Sequence, residues 1–175
     1  MSSYTIDASH SNVGFSVRHM MISNVRGEFQ QYSGEFSYDP AKPEATSARV
    51  TIELASINTR DEKRDGHLRS GDFFDVEHHP QMTFVSKSAT ARGDGLDVVG
   101  DLTIRGTTRE VTLRVEDITD ENKDPWGNLR RGASASTKIK RSDFGIVWNA
   151  GLEAGGVLVS DEVKIHLDIQ GTRQS

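Results

Sequence analysis

The sequence contains no cysteine. Disulfides, thiolate nucleophiles and sulfur-based zinc sites are therefore excluded, and the redox compartment stays open. Positive charge is also short: the 175 residues carry a formal net charge of −5 and a pI near 5.7. That balance argues against nucleic acid as the main partner, because phosphate binding calls for clustered cations. No apolar run approaches membrane-spanning length, so no transmembrane helix is expected. The start, Met1-Ser2-Ser3-Tyr4, lacks the basic and apolar regions of a secretory signal. The expected location is cytoplasmic, or periplasmic if a leader has been removed. The length suits one domain over 1–175, large enough to bury a core or enclose a cavity.

What fills the chain is alternation. Val13, Phe15, Val17 and His19 share one parity, and Ala48, Val50, Ile52 and Leu54 another inward row. Met82 and Phe84 follow Pro80. Leu96, Val98, Leu102 and Ile104 then return after the turn-like Arg92-Gly93-Asp94-Gly95. Gly106 leads into Val111, Leu113 and Val115, and the chain ends on Val163, Ile165, Leu167 and Ile169. The parity changes between Phe29 and Tyr32, which predicts a bulge at Gln30-Gln31 or a turn at Ser33-Gly34. Ala133, Ala135 and Thr137 are small for a wall. They leave room inside or pack beneath a bulky neighbour. Gly145 to Gly156 reads as a glycine-rich loop carrying Trp148. The fold class expected is all-β, an antiparallel barrel or sandwich.

One stretch departs from this pattern. Thr59 and Glu62 have capping-box spacing, Gly71 is the natural stop, and Leu68 is the one apolar residue between them. Phe73 and Phe74 follow. A short polar helix ending on two phenylalanines predicts a lid or plug for a barrel.

Catalytic signals are weak. His10, His19, His67, His78, His79 and His166 show no metal-ligand spacing, and no serine sits in a G-x-S-x-G turn. No metal, cofactor or enzymatic activity is expected. His19 shares the apolar face of Phe15 and Val17, so it is either a hydrogen-bonded core residue or a polar contact for a ligand. Lys138 and Lys140 share a strand face. They form a solvated outer row, or a mouth that attracts an anionic head group.

Five blocks carry a resemblance. They are Ile6 to His19, followed by Val25 to Phe29; Arg64 to Glu77 with Pro80, Thr83 and Phe84; Gly100 to Thr108; Arg141 to Gly145; and Gly155 to Val163. Together they resemble the YceI-like, polyisoprenoid-binding family nearly end to end. The resemblance implies an extended, lipocalin-like antiparallel β-barrel whose long pore holds an isoprenoid lipid, and it suggests a homodimer. It places Phe15, Val17, Phe29, Phe84, Leu102 and Ile104 on the inner wall, where parity also puts Leu113, Ile165 and Leu167. It assigns no role to the matched His10, His19 and His67, which stand as candidates for polar contacts.

Three functions follow as expectations: a carrier or store for a polyprenyl or quinone-precursor lipid; an isomerase or hydrolase using His19 or His67 in the same cavity; and a structural or stress-response barrel filled by its own side chains. The first is preferred. A five-carbon unit taken out of water is worth roughly 3–4 kcal/mol gross, so a barrel holds a long tail with little polar chemistry.

Overall fold

The computed structural model describes residues 2–149 and 158–175. Alternating apolar positions become twelve strands: β1 Ser2–Ile6, β2 Asn12–His19, β3 Ser23–Phe29, β4 Tyr32–Tyr38, β5 Ser47–Glu53, β6 Ile57–Asn58, β7 Gln81–Arg92, β8 Gly95–Ile104, β9 Thr107–Glu116, β10 Asn122–Lys123, β11 Leu129–Lys140 and β12 Val159–Arg173. Among the described residues a single α-helix, α1 Glu62–Arg69, stands between β6 and β7.

Six of the strands are halves of longer ones. β1 and β2 both pair with β12, β4 and β3 pair in turn with β1 and β2, and β5 and β6 continue against β4 and β3. The Gln30-Gln31 break is the parity change read from the sequence, and Gly34 stays inside β4. With β7, β8, β9 and β11 added in order, and β11 pairing back onto β12, the sheet closes as an eight-stranded antiparallel barrel. Closure leaves the main wall without a free edge.

Odd and even positions then divide inside from outside. In β8, Leu96, Val98, Gly100, Leu102 and Ile104 are buried, while the residues alternating with them are not. Gly100 falls in the inward row because the Phe84 ring lies across it: a Cβ there would stand 2.5 Å from that ring. The same device joins Gly27 to Phe15, at 2.4 Å. Rings therefore lie flat along the wall instead of crossing the lumen.

The two ends differ. One gathers the β2–β3 turn, α1, the β8–β9 turn and the segment after β11, and is called the helix end here. The terminal end is closed by polar groups. Arg131 lies over the Tyr4 and Tyr38 rings, donates to the Tyr4 hydroxyl and to the Thr119 carbonyl, and Tyr4 in turn donates to Glu121. Beside it, Arg130 bridges Asp7 at 2.8 Å and Asp124 at 2.7 Å. Hydrogen bonds from Ser9, Arg130 and His10 hold the Asp7 carboxyl far below its usual range, and Arg130 with the Asn128 and Trp126 amides brings Asp124 to about 2. A depressed carboxylate stabilises the fold above its unfolded pKa, and that contribution fades as pH falls through the folded value. The urea midpoint should therefore drop between about pH 4 and pH 2. Arg130→Gln should flatten that acid limb; an unchanged slope would mean the bridge contributes nothing.

Candidate functional site

Inside the wall runs an apolar tunnel of two compartments, about 150 Å³ at the helix end and about 120 Å³ at the terminal end. Both are bordered by Val50, Phe84, Leu113 and Leu167, so the two meet at mid-barrel. Phe15, Val17, Phe29, Phe84, Leu102, Ile104, Leu113, Ile165 and Leu167 all line the larger compartment. The small residues Ala133 and Ala135 line the other. Packing is uneven around the circumference. The inward residues of β7 and β8 near the larger compartment are buried, whereas Phe15, Val17, Val163, Ile165 and Leu167 point inward and remain only half-buried. The surface they keep is the surface of the tunnel.

The helix closes one end of it, with caps other than those the sequence suggested. Asp61, not Thr59, caps α1 by accepting from the Lys63 and Arg64 amides, and Ser70, not Gly71, ends it. Thr59 is committed elsewhere. Its amide and hydroxyl donate to the buried Asp65 carboxylate, while Arg64 donates to its hydroxyl and carbonyl oxygens. Arg69 reaches the Ala55 and Ile57 carbonyls. The helix is thus held by polar bonds to the barrel rim, and its apolar contribution is Leu68, Phe73 and Phe74 facing the tunnel.

Those phenylalanines meet a second element. Phe73 packs 5.4 Å from the Trp148 ring, and His67 stands edge-on to both at 5.0 and 4.8 Å. Phe74 meets Phe29 at 6.0 Å. The lid therefore has two leaves, α1 with its phenylalanines and the segment from Arg141 to Trp148. They join through an aromatic latch. Sequence reading missed Trp148 as a partner, since parity has no meaning outside a strand. The later part of that glycine-rich loop, 150–157, lies outside the described residues.

Arg141 builds the second leaf. Its side chain is buried, and its guanidinium donates to the carbonyls of Ser160, Ile146, Trp148 and Val159 at 2.8–3.1 Å. Burial lowers its pKa from the usual value, yet arginine remains charged. It is the one charged residue lining the larger compartment, among the described residues.

The three candidate histidines fall in separate places. His10 lies in the turn Ala8–His10, exposed, with its ring against Asp7. His19 ends β2, half-buried at the rim opposite Ser23 and Val159, and is absent from the tunnel lining. His67 lies in the latch and is hydrogen-bonded to Asp72 at 2.9 Å. The structure does not bring the three together.

A closed barrel of this kind has counterparts. The YceI-like domain family matches residues 4–171. The chain belongs to the YceI-like family. A YceI protein of Escherichia coli is 38% identical over 173 residues, covering 98% of this chain and 87% of that one. The crystal structure of Burkholderia cenocepacia BcnA superposes with a TM-score of 0.81 at 28% identity, over 94% of this chain and 98% of that one. A polyisoprenoid binding domain from Saccharophagus degradans has the same fold, with a TM-score of 0.70 over 98% of both chains at 19% identity.

Within this family member, two of the blocks that carried the resemblance lie where the tunnel is closed, and the start of the block from Gly155 to Val163 lies outside the described residues. Arg64 to Glu77 is the first leaf of the lid and its anchor. Arg141 to Gly145 opens the second. The double substitution Phe73→Ser/Phe74→Ser should leave a folded, leaky protein, because the polar bonds of α1 remain. Circular dichroism and the fraction of apolar ligand lost to excess vesicles check this. Failure to fold would make the pair ordinary core.

Proposed function

We propose that the protein binds a long isoprenoid lipid in the tunnel and acts as its carrier or store, without catalysing a reaction, in the cytoplasm. The observation that carries this reading is the half-buried state of the inward residues Phe15 and Val17 of β2 and Val163, Ile165 and Leu167 of β12, whose apolar surface is not covered by the chain itself. A core filled for stability alone would have collapsed onto it, since interiors pack to crystal-like density. A flexible apolar tail supplies the missing contacts and removes that surface from water, worth roughly 3–4 kcal/mol per five-carbon unit before ordering costs. The name of the Saccharophagus relative supports the choice of isoprenoid over other tails. Organic extraction of the purified protein followed by mass spectrometry tests it. A stoichiometric polyprenyl or prenyl-quinone species is the expected result, and a fatty acid or an empty barrel would overturn it.

A further inference from the structure

The helix end carries an exposed apolar tip. In the three-residue loop between β2 and β3, Met20 is 43%, Met21 54% and Ile22 74% exposed. Val147 is exposed on the second leaf at the same end of the barrel. The backbone of this tip is also unusual. Met20 and Met21 hold φ of 54° and 61°, a left-handed conformation that favours glycine or asparagine. Positive φ recurs elsewhere, at Gly93 and Gly106 of the β7–β8 and β8–β9 turns and at the polar residues Arg60, Asp75, Arg105 and Asp117. Only here does a hairpin turn place two large apolar side chains in water on strained backbone, among the described residues. A turn needed only to reverse the chain has no use for them.

Behind the tip stands a collar of cations on the outer wall. Strand register sets Arg26, Ser16, Lys164 and Lys138 side by side across β3, β2, β12 and β11. Arg18 and Lys140 lie two residues nearer the tip, on the same face. All five cations are exposed, and none forms an ion pair among the described residues. Elsewhere Lys87, Arg130 and Arg173 are each matched to a carboxylate. Acids beside the collar are Glu162, opposite Lys140, Asp161, which is taken up by Ser142, and Glu28, two residues along β3 from Arg26 and hydrogen-bonded by Asn12. In a chain of net charge −5, this local surplus is set apart.

We propose that the helix end docks on an anionic lipid bilayer, with Met20, Met21 and Ile22 entering the hydrocarbon and the collar facing the head groups. The two features are stacked in the order a membrane presents its own layers, apolar beyond charged. Cations two to four residues behind the tip lie about 7–13 Å from it at strand rise, within reach of the head-group layer for long side chains. An apolar tip with several lysines and arginines is the combination that gives reversible attachment. A second copy of the chain is a poorer occupant, since a two-fold contact through this end would bring like-charged collars together. Docking here would also aim the lid at the phase in which a long apolar tail dissolves. The inference concerns the outer surface, so it stands or falls separately from the identity of the cargo.

The test is flotation with vesicles of phosphatidylcholine alone and of phosphatidylcholine with one quarter phosphatidylglycerol, at low and at 0.5 M salt. The wild type should float with the anionic vesicles at low salt and be released by salt, because the collar is screened. Met21→Ser/Ile22→Ser and Lys138→Glu/Lys164→Glu should each bind at least roughly tenfold more weakly, whereas Trp126→Ser at the terminal end should bind as the wild type does. All these positions are exposed, and matching urea midpoints would show that the variants fold. Absence of wild-type flotation on anionic vesicles, or a tip variant that floats unchanged, would overturn the proposal. So would a tip variant that only converts a dimer to a monomer, which would assign the surface to a second copy.

Discussion

Val17→Trp should yield a folded barrel that has lost its lipid. Val17 lies on β2 opposite Val25 of β3 and Val163 of β12, and it lines the larger compartment. Its inward face is not covered by neighbouring side chains, so a larger group projects into existing space. An indole there takes the volume that the tail would occupy, and it buries no charge. Stability should hold within about 1 kcal/mol, while extractable lipid falls to a small fraction of the wild-type content. The check is a urea midpoint and a lipid assay on the same preparation. If the barrel is instead packed solid, the substitution overpacks it and costs about 1–3 kcal/mol. A large midpoint drop, from a wild type that yields no lipid, would leave the self-filled barrel as the better reading.

The wall was legible in the sequence because a strand has only two faces. Once Val13, Phe15 and Val17 alternate with polar residues, the inward set of β2 is fixed, and the same holds for β8, β9 and β12. The lid was legible only in outline. Its polar surface and its two phenylalanines announced a cap, but the side chains that hold it were misread at both ends. Thr59 looked like a helix cap, and the fold uses it as a ligand for Asp65, a buried carboxylate six residues on. Asp61, two residues later, offers the same capping chemistry, and spacing alone cannot choose between them. Trp148 and Arg141 were harder still. Their partners are backbone carbonyls and rings brought together by closure of the barrel, and such contacts leave no period in the chain.

Arg141→Met should be the most destabilising single change in the second leaf. Methionine fills comparable apolar volume but has no donor, so the carbonyls of Ser160, Ile146, Trp148 and Val159 would lose the group they share. Each carbonyl left unpaired and poorly hydrated costs about 1–3 kcal/mol, and partial access of water at the rim limits the sum. A total on the order of 3–5 kcal/mol is expected, read as a fall in the urea midpoint with little change in slope. Arg141→Lys should recover little of it, because one ammonium cannot reproduce a planar fork that reaches four acceptors. Amide exchange should accelerate first at Ile146, whose N–H donates to the Arg141 carbonyl, and Trp148 should become accessible to a fluorescence quencher as the latch opens. A lysine variant as stable as the wild type would mean that charge, not the fork of hydrogen bonds, holds this leaf. A methionine variant within about 1 kcal/mol would mean the leaf is held from elsewhere.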